Sequence, residues 1–479
     1  MTSGSAPVKE YGMIAIGSGS AVSVLDSWLR THPGERGAVI DKDSPGGICL
    51  TRGCIPSKML TSVADVIRTV QRAPEFGLSV RDVRVDFARV MKRLHDHIDP
   101  EIEAIRQGLS QAREIDYYPE TVEFVAPYTL RTARGERLRA PRILLGLGSE
   151  PRLPPIPGLA ESEPLTSDTV FDLRELPDRL TILGGGYIAA EFAHIFSSFG
   201  SEVTVIGRNP RLLPREDPEI SEVVTQELGK RVRLLRGRTP RRIRRTRRGS
   251  LTIDLGAEDG QPAEDVEADR ILVATGRGST SHHLHPERGG IDTDPQGWIR
   301  VNEYLETRQP GIYALGDATG VWPFKHKANY DARILHEALV NGRRIPVDYH
   351  AIPHAVFTDP EVASVGWTEE QARAQVPSSE LLVGRYEYRH TAKGEALGVH
   401  HGLVKVLVRR NGLEILGAHI VGPQASILLQ EVVNLLYTPD RSALPILQGL
   451  HIHPALSEVV ERAFLSLRPL EDPPARSPP

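Results

Sequence analysis

Two stretches of the chain share one hydrophobic pattern, in which an apolar run, a glycine turn and a helical run follow one another. The first is YGMIAIGSGSAVSVLDSWL, residues 11–29, and the second is RLTILGGGYIAAEFAHIF, residues 179–196. An apolar run of this length before a glycine turn predicts a buried parallel strand. A second apolar run follows each stretch, GAVID in the first and EVTVI in the second. The pattern therefore predicts two βαβ units, each able to bind a dinucleotide.

The rest of the pattern predicts one long helix and a C-terminal α+β region. VDFARVMKRLHDHIDPEIEAIRQGL has helical period, whereas LVKVLVRR and ILGAHIVG read as strands and ASILLQEVVNLLY as a helix. We predict an α/β protein with two Rossmann-like dinucleotide-binding domains and a C-terminal α+β domain. The expected division is residues 1–149 and 268–345 for the first domain, 150–267 for the second, 346–470 for the C-terminal domain, and 471–479 for a Pro-rich disordered tail.

Composition changes this picture little. The chain has 479 residues, too many for one hydrophobic core, with 40% hydrophobic residues and a formal net charge of −4. That charge gives no argument for a nucleic acid or a membrane surface as partner. No apolar run approaches the roughly 20 residues of a membrane helix, and the first residues lack a signal-peptide pattern. We therefore expect a cytoplasmic protein.

The candidate chemistry is concentrated in GGICLTRGCIPSK, residues 46–58, which holds both cysteines of the chain, Cys49 and Cys54. Zinc is disfavoured because one cysteine pair lacks two of the usual four ligands, and we predict no metal. Two inert buried thiols remain an alternative. A redox-active dithiol is favoured, because Cys54 is expected near a helix N-terminus that stabilises a thiolate, with the positive charge of Lys58 one turn further on.

The two glycine turns suggest which cofactors serve this dithiol. In the first turn Gly17 and Gly19 would let a pyrophosphate approach the helix N-terminus, and Asp41 would bind a ribose hydroxyl. In the second turn, Gly184, Gly186 and Ala189 form the cleaner G-x-G-x-x-A pattern. Its second strand ends in Gly207 and Arg208 rather than in an acid. An arginine there suits the 2′-phosphate of NADP, although a solvent-facing arginine is the alternative. The first turn, beside the cysteines, suits a tightly bound flavin, and the second suits an NAD or NADP that binds and leaves.

Five motifs in order resemble those of the flavin-dependent pyridine nucleotide–disulfide oxidoreductases. They are GGICLTRGCIPSK, GGGYIAAE, ILVATGR (271–277), IYALGDATG (312–320) and HIHPALSE (451–458). The resemblance covers nearly the whole chain and implies a glutathione reductase-like fold with FAD and NAD or NADP. Within the family, the motifs are most similar to those of the dihydrolipoamide dehydrogenases, with mycothione reductases as close relatives.

The resemblance also implies roles for single residues. Cys49 would form the mixed disulfide with substrate and Cys54 would lie against the flavin. Lys58 would pair with Glu191, and Tyr187 would gate the nicotinamide pocket. The following residues would bind the flavin: Gly17, Gly19, Asp41, Gly47, Lys58, Asp317 and His326. The following would bind the nicotinamide nucleotide: Gly184, Gly186, Tyr187, Ala189, Arg208 and Gly276.

The C-terminal motif implies a homodimer. His453 would be the acid–base group for the interchange thiol and Glu458 would orient it, with His451 as the competing candidate. In the family, this pair reaches the cysteines from the other subunit, so each active site would be completed across a two-fold interface.

Three functions follow as hypotheses. The preferred one is a dihydrolipoyl dehydrogenase, which oxidises dihydrolipoamide, free or on a lipoyl carrier protein, and passes electrons through FAD to NAD or NADP. The second is an NADPH-dependent reductase of a small disulfide such as mycothione. The third is a binding protein that uses the basic strip 231–248 for nucleic acid or another partner. No aromatic residues interleave that strip, so we predict no nucleic-acid partner, and none in a membrane.

Overall fold

The computed structural model describes residues 7–247, 249–257 and 262–470. The tail predicted at 471–479, the first residues of the first domain and the end of the basic strip at Arg248 lie outside the described residues. The helices are α1 (Ala21–Thr31), α2 (Gly47–Arg52), α3 (Cys54–Gln71), α4 (Phe87–Gln111), α5 (Tyr187–Phe199), α6 (Pro218–Gly229), α7 (Lys325–Leu339), α8 (Glu369–Gln375), α9 (Ala392–Ala396), α10 (Ala425–Leu436), α11 (Leu444–Gln448) and α12 (Glu458–Leu465).

The strands are β1 (Val8–Glu10), β2 (Met13–Ile16), β3 (Gly37–Ile40), β4 (Ile115–Tyr118), β5 (Val122–Ala126), β6 (Thr129–Thr132), β7 (Arg137–Arg139), β8 (Ile143–Leu145), β9 (Glu150–Pro151), β10 (Leu165–Thr166), β11 (Arg179–Leu183), β12 (Glu202–Gly207), β13 (Arg233–Arg236), β14 (Arg242–Arg245), β15 (Leu251–Leu255), β16 (Glu264–Ala268), β17 (Arg270–Val273), β18 (Arg277–Gly278), β19 (Ile312–Ala314), β20 (His354–Val356), β21 (Val362–Gly366), β22 (Leu381–Glu387), β23 (Leu403–Arg409), β24 (Ile415–Val421) and β25 (Arg468–Pro469).

The first βαβ unit forms a parallel sheet in the order β19-β8-β2-β3-β4. Every residue of β2, β3 and β8 is buried, because both faces of the sheet are covered. Helices α1 and α7 share one hydrophobic cluster with it. The antiparallel sheet β1-β7-β6-β5 contributes to the cluster on the other side. The predicted Rossmann-like fold is confirmed here.

The second βαβ unit forms a parallel sheet in the order β10-β17-β11-β12-β13, beside the antiparallel sheet β14-β15-β16. Strand β17 pairs with β11 along four residues, Leu180 to Leu183. The sequence predicts that the chain returns to the first domain at Ala268. Strand β17, which follows that residue, lies in the second sheet, and we propose that the return follows Val273. Strands β9 and β18 pair as a short antiparallel ribbon. In chain order, β9 follows the first-sheet strand β8 and β18 precedes the first-sheet strand β19.

Helices α3 and α4 lie between β3 and β4 of the first sheet in the chain, and their buried residues pack against the second βαβ unit. The predicted long helix is present as α4, and the side chain of Asp86 caps it by accepting from the backbone N–H of Arg89 at 3.0 Å. Buried residues of α3 and α5 belong to one hydrophobic cluster, which places the helix that follows Cys54 against the helix that follows the second glycine turn. The candidate site lies where these two helix starts meet.

The C-terminal region is a six-stranded antiparallel sheet in the order β20-β21-β24-β23-β22-β25. Helices α10 and α12 share its hydrophobic core. The strands predicted from LVKVLVRR and ILGAHIVG are β23 and β24, and the predicted helix is α10. Among the described residues, no helix has the length and apolar character needed to cross a bilayer.

The basic strip 231–248 contributes an edge strand to each of two sheets. Strand β13 ends the parallel sheet and β14 ends the antiparallel one. Arg233 pairs with Glu264, and Arg244 lies 3.5 Å from Asp265. Neighbouring acids thus partly neutralise the strip, so the prediction of no nucleic-acid partner stands as before.

Candidate active site

The two thiols meet at the junction of α2 and α3. Cys49 lies within α2, Gly53 separates the two helices, and Cys54 is the first residue of α3. Both thiols are free in this structure. The Cys54 thiol donates a hydrogen bond to Cys49, and this bond, although opposed by partial burial, lowers the pKa of Cys49 to about 7. The lowered pKa increases the fraction of Cys49 that is thiolate near neutral pH, and the thiolate is the reactive form of cysteine.

The N-terminus of α3 acts on the thiol pair. The sequence predicts that it stabilises a thiolate on Cys54. In the structure the backbone N–H groups of Cys54 and Ile55 lower the pKa of Cys49. The pKa of Cys54 is raised, because its thiol donates to Cys49 and because it is partly buried. The helix starts where the sequence predicts it, and a thiolate on Cys54 beside a bound flavin stays a prediction.

Lys325 is a cation near Cys49 that sequence reasoning missed. Its positive charge contributes to the lowered pKa of the Cys49 thiol, and its Nζ donates to the Ser20 hydroxyl at 2.8 Å. It is the first residue of α7, directly before the predicted His326. The sequence predicts a role for His326, but nothing in it indicates that the neighbouring Lys325 acts on Cys49.

A chain of charged groups links the cysteine segment to the β9–β18 ribbon. Arg52, between the two cysteines, donates through its NH2 group to Asp43 at 2.6 Å and through Nε to Asp168 at 3.1 Å. Arg277 lies 3.3 Å from Asp168 and donates to the Ser149 carbonyl at 2.6 Å. These contacts fix the loop between the cysteines, and single-sequence patterns could not reveal them because the partners lie far apart in the chain.

The predicted Lys58–Glu191 pair is present in the structure. Lys58 Nζ lies 2.6 Å from Glu191 Oε2, which brings α3 and α5 together. Glu191 Oε1 accepts from the backbone N–H of Phe357 at 3.0 Å, and the lysine ammonium lies 4.4 Å from the centre of the Phe357 ring. The pair is only partly exposed, so it can place a fixed positive charge beside a bound ring system.

The first glycine turn fits the pyrophosphate of FAD. Gly17 has a φ of +99°, and a Cβ there would collide with the Gly146 carbonyl. A Cβ on Gly47 would lie 2.8 Å from the Gly19 Cα, so the cysteine segment approaches the glycine turn as closely as backbones allow. No side chain caps the N-terminus of α1, whose N–H groups can therefore receive a phosphate.

Asp41, Asp317 and His326, also predicted to bind the flavin, are each held by hydrogen bonds. Asp41 Oδ2 accepts from the Ser18 backbone N–H at 2.7 Å and from its hydroxyl at 2.5 Å. The Ser18 hydroxyl accepts from the Gly46 N–H at 3.0 Å. Asp317 Oδ2 accepts from the Ser149 hydroxyl at 2.6 Å, and His326 Nε2 lies 2.7 Å from the Pro353 carbonyl. The glycine turn and these polar groups suit FAD.

The second glycine turn repeats this arrangement. Gly184 has a φ of +129°, and a Cβ there would collide with the Ala274 carbonyl. Gly186 precedes α5, which no side chain caps, and Ala189 is fully buried inside that helix. Gly276 has a φ of +116° with open space beside it. These features suit the pyrophosphate of a nicotinamide nucleotide.

A small cleft lies beside this turn, at the end of β12. Gly185, Gly207, Arg211 and Arg236 are among the residues that line it. Arg208 directly follows β12 and is exposed, and within the described ranges no hydrogen bond or ion pair engages its side chain. An exposed arginine at this position can receive a phosphate dianion.

His453 and Glu458 form the predicted pair at the C-terminus. His453 Nδ1 lies 3.0 Å from Glu458 Oε1, and this hydrogen bond lowers the pKa of Glu458. The His453 side chain is 70% exposed, and in the described part of the chain no bond joins it to either cysteine. His451 is only 10% exposed and lies between Glu431 and Glu461. The structure therefore leaves His453, not His451, accessible to a second molecule.

The surface around His453 is unusually apolar. Leu450 is fully exposed and Ile452 is 77% exposed. Large apolar side chains at this exposure on neighbouring positions indicate a surface that another protein chain covers.

A redox dithiol beside one dinucleotide turn, facing a second such turn, defines a flavin- and nicotinamide-dependent disulfide oxidoreductase. The family model for pyridine nucleotide-disulphide oxidoreductases matches residues 11–332, and that for their dimerisation domain matches residues 352–464. The chain belongs to the pyridine nucleotide–disulfide oxidoreductase family. Members of this family use FAD and NAD(P)H, and the dimerisation domain supports a homodimer.

Relatives of two named activities match over nearly the whole chain. A mycothione reductase of Mycobacterium tuberculosis is 36% identical over 472 residues, which cover 96% of this chain and all of the relative. A dihydrolipoyl dehydrogenase of Chlamydia pneumoniae is 33% identical over 481 residues, covering 97% of this chain and 99% of the relative. Among solved structures, the HOCl-induced flavoprotein disulfide reductase RclA from Escherichia coli has a TM-score of 0.82 at 27% identity, covering 95% of this chain and 99% of its own.

Proposed function

We propose that the chain is an NADPH-dependent reductase of a small disulfide of the mycothione class. The observation that carries the proposal is the thiol pair, in which Cys54 donates to a Cys49 thiol whose pKa is about 7. Arg208, exposed directly after β12, supports NADPH over NADH, because an NAD site would place an acid there for the ribose hydroxyl. The 36% identity to a mycothione reductase over 96% of the chain supports the disulfide class.

The chemistry proposed for the chain's own groups is thiol–disulfide exchange. The Cys49 thiolate attacks one sulfur of the substrate disulfide, a mixed disulfide forms and the first substrate thiolate leaves. His453 of the partner subunit protonates that leaving thiolate. Because Glu458 engages its Nδ1, Nε2 is the atom left to give the proton. The Cys54 thiol then gives its proton to His453 Nε2 and its sulfur attacks Cys49. The bond from Cys49 to the substrate breaks, the second substrate thiolate leaves with that proton, and a Cys49–Cys54 disulfide remains.

The cofactor sites would return this disulfide to two thiols. Bound FAD supplies two-electron transfer between the nicotinamide and the disulfide. We propose that Gly17, Gly19, Gly47, Asp41 and Asp317 hold it. Lys58, fixed by Glu191, would place its positive charge beside the flavin ring and the nicotinamide. His326 is proposed to lie beside the ring as well.

A dihydrolipoyl dehydrogenase is the second candidate, and it would run the same residues in the opposite direction. The motif likeness described above and the 33% identity to the dehydrogenase of Chlamydia pneumoniae favour it. In that direction His453 would accept a proton from dihydrolipoamide, free or on a carrier protein.

A steady-state comparison of substrates tests the proposal. The purified yellow protein would be offered NADPH with mycothione and, separately, dihydrolipoamide with NAD or NADP. We expect fast NADPH oxidation with mycothione. Fast reduction of NAD with dihydrolipoamide and no turnover of mycothione would establish the second candidate instead, and inactivity with both would overturn the assignment of substrate class.

The nucleotide choice has its own test. We expect Arg208→Leu to raise the KM for NADPH at least tenfold and to leave the KM for NADH unchanged, because an arginine–phosphate hydrogen bond to charge contributes about 1.5–3 kcal/mol. Arg233→Leu, an exposed arginine on the neighbouring strand, is the matched control. An equal change for both nucleotides in Arg208→Leu would contradict a 2′-phosphate contact.

A further inference from the structure

The Tyr187 hydroxyl is anchored to a buried carboxylate. Tyr187 is the first residue of α5, directly after the second glycine turn, and its hydroxyl donates to Glu216 Oε1 at 2.7 Å. The Glu216 side chain is fully buried. Glu216 follows β12 and its loop, so the bond joins two parts of the second βαβ unit. Nothing in the five motifs indicated that this tyrosine has a fixed partner.

The C-terminal sheet holds the same carboxylate from its other side. His354 Nε2 lies 2.7 Å from Glu216 Oε1, and the Ser364 hydroxyl donates to Oε2 at 2.6 Å. His354 on β20 and Ser364 on β21 are directly paired across the two strands. Burial raises the pKa of Glu216, but hydrogen bonds from His354, Ser364 and Tyr187 outweigh it and lower that pKa to about 2. We call Glu216, His354 and Ser364 the Glu216 clamp.

Ring contacts fix the same tyrosine from its faces. The Tyr187 ring centre lies 5.5 Å from that of His354 and 6.3 Å from that of Phe324, with nearly parallel planes. His354 and Phe324 are themselves parallel within 2° at 5.6 Å. Phe324 directly precedes Lys325, the cation that lowers the pKa of Cys49. The position of Tyr187 therefore depends on the C-terminal sheet and on the segment beside the thiols.

We propose that the Glu216 clamp is a positioning device that holds Tyr187 in one place until the nicotinamide enters. The inference rests on the proposed role of Tyr187 at the nicotinamide pocket. None of the three clamp residues touches substrate in this account, and each acts through the tyrosine. Entry of the nicotinamide breaks the Tyr187–Glu216 hydrogen bond, so the strength of that bond opposes nucleotide binding.

Nucleotide binding to ring-preserving variants tests the clamp. NADP⁺ binding by calorimetry and anaerobic flavin reduction by NADPH would be compared in the wild type and in Tyr187→Phe. We expect Tyr187→Phe to bind about fivefold more tightly and to reach half-saturation at a correspondingly lower NADPH concentration, because the bond that entry must break is gone. Tyr11→Phe is the matched control. The Tyr11 hydroxyl also donates to a carboxylate, that of Asp116 at 2.6 Å. That pair lies away from this site, at the sheet that holds β2 and β4.

A double-mutant cycle separates the clamp from a general loss of stability. Ser364→Ala should tighten nucleotide binding by a smaller factor than Tyr187→Phe and have no further effect in the Tyr187→Phe background, because Ser364 acts only through the tyrosine bond. Additive effects, equal affinities in wild type and Tyr187→Phe, or weaker binding in Tyr187→Phe would each overturn the clamp. Absence of nucleotide binding by the wild type would overturn the proposed function together with it, so the two failures are distinguishable.

Discussion

At the scale of single residues, the reactivity of the site comes from an unequal sharing of one proton. Two equivalent thiols would titrate near their ordinary pKa of about 8.5. Here Cys54 keeps its proton and donates it in a hydrogen bond, while the first N–H groups of α3 and the Lys325 charge stabilise the Cys49 thiolate. Helix α3 begins at Cys54, but the N–H groups at its start lower the pKa of Cys49.

This sharing predicts the pH dependence of Cys49 alkylation. In Cys54→Ser, a hydroxyl can still donate, so we expect the rate of reaction with iodoacetamide to rise through a midpoint near pH 7. In Cys54→Ala the donor is lost, the thiolate loses its main stabilisation, and the midpoint should move up toward about 8.5. Below pH 6 both variants should react slowly, since the protonated thiol predominates in each.

Each variant retains a single cysteine, so mass spectrometry of the alkylated protein assigns the reaction without ambiguity. A midpoint near 7 in both variants would mean that the helix N–H groups and Lys325 suffice and that the Cys54 hydrogen bond contributes little. A midpoint near 8.5 in both would mean that a hydroxyl cannot replace the thiol as donor.

At the scale of elements, two glycine turns and two uncapped helix starts face the space where the cofactors are proposed to bind. Four of the twelve described helices carry a side-chain cap at the N-terminus, from Asp86 on α4, Asp217 on α6, Thr368 on α8 and Thr391 on α9, and the other eight do not. Helices α1 and α5 have none. The N–H groups of α1 and α5 are thus left for a ligand, which is how helix starts bind phosphate.

The close approach of the cysteine segment to the first turn predicts how the flavin site responds to one added methyl group. In Gly47→Ala, the new Cβ would lie 2.8 Å from the Gly19 Cα, so the turn must move and we expect the purified protein to lose most of its FAD. Flavin absorbance relative to protein concentration measures this loss.

Gly34→Ala is the matched control for that change. Gly34 also has a positive φ, +91°, but no atom lies within 4 Å of its added Cβ. Both variants therefore carry the same backbone strain of about 1–2 kcal/mol, and only one carries the collision. Equal flavin content in the two variants would show that the approach of Gly47 to Gly19 does not shape the site.

The sequence predicted those parts of the fold and site that depend on local pattern. Strand, glycine turn and helix lie within some 30 residues, so both βαβ units could be recognised. The Lys58–Glu191 and His453–Glu458 pairs were found because motifs fix their positions. Glu216, His354 and Lys325 were missed because their contacts join segments far apart in the chain, and no periodicity encodes which residues meet there.

The boundary predicted at Ala268 lies in a segment where local pattern gives little guidance. Strand β17 and the ribbon strand β18 follow one another within a few residues, and both are short. Which sheet such a strand joins is decided by its pairing, here with β11, and not by its composition.

At the scale of the whole molecule, the described chain holds all the proposed site residues. Within it, however, no contact joins His453 to the cysteines. His453 is mostly exposed, its Nδ1 is held by Glu458, and Leu450 and Ile452 beside it are exposed apolar residues. The region matches the dimerisation domain of the family. Burial of these side chains in a two-fold interface would bring each His453 to the other subunit.

Mixed dimers give the sharpest test of this arrangement. Cys49→Ser and His453→Gln would be co-expressed with different affinity tags, and the mixed dimer isolated by two purification steps. Each homodimer should be nearly inactive in disulfide turnover. In the mixed dimer, the Cys49 of one subunit meets the His453 of the other at one of the two sites, so we expect about half of the wild-type activity per dimer. If His453 served the cysteines of its own chain, neither site would be intact and the mixed dimer would be as inactive as its parents.

Reduction of the flavin by NADPH should stay normal in all three dimers, because neither substitution touches the nicotinamide pocket. Normal flavin reduction therefore serves as the control that each dimer is folded and loaded with cofactor.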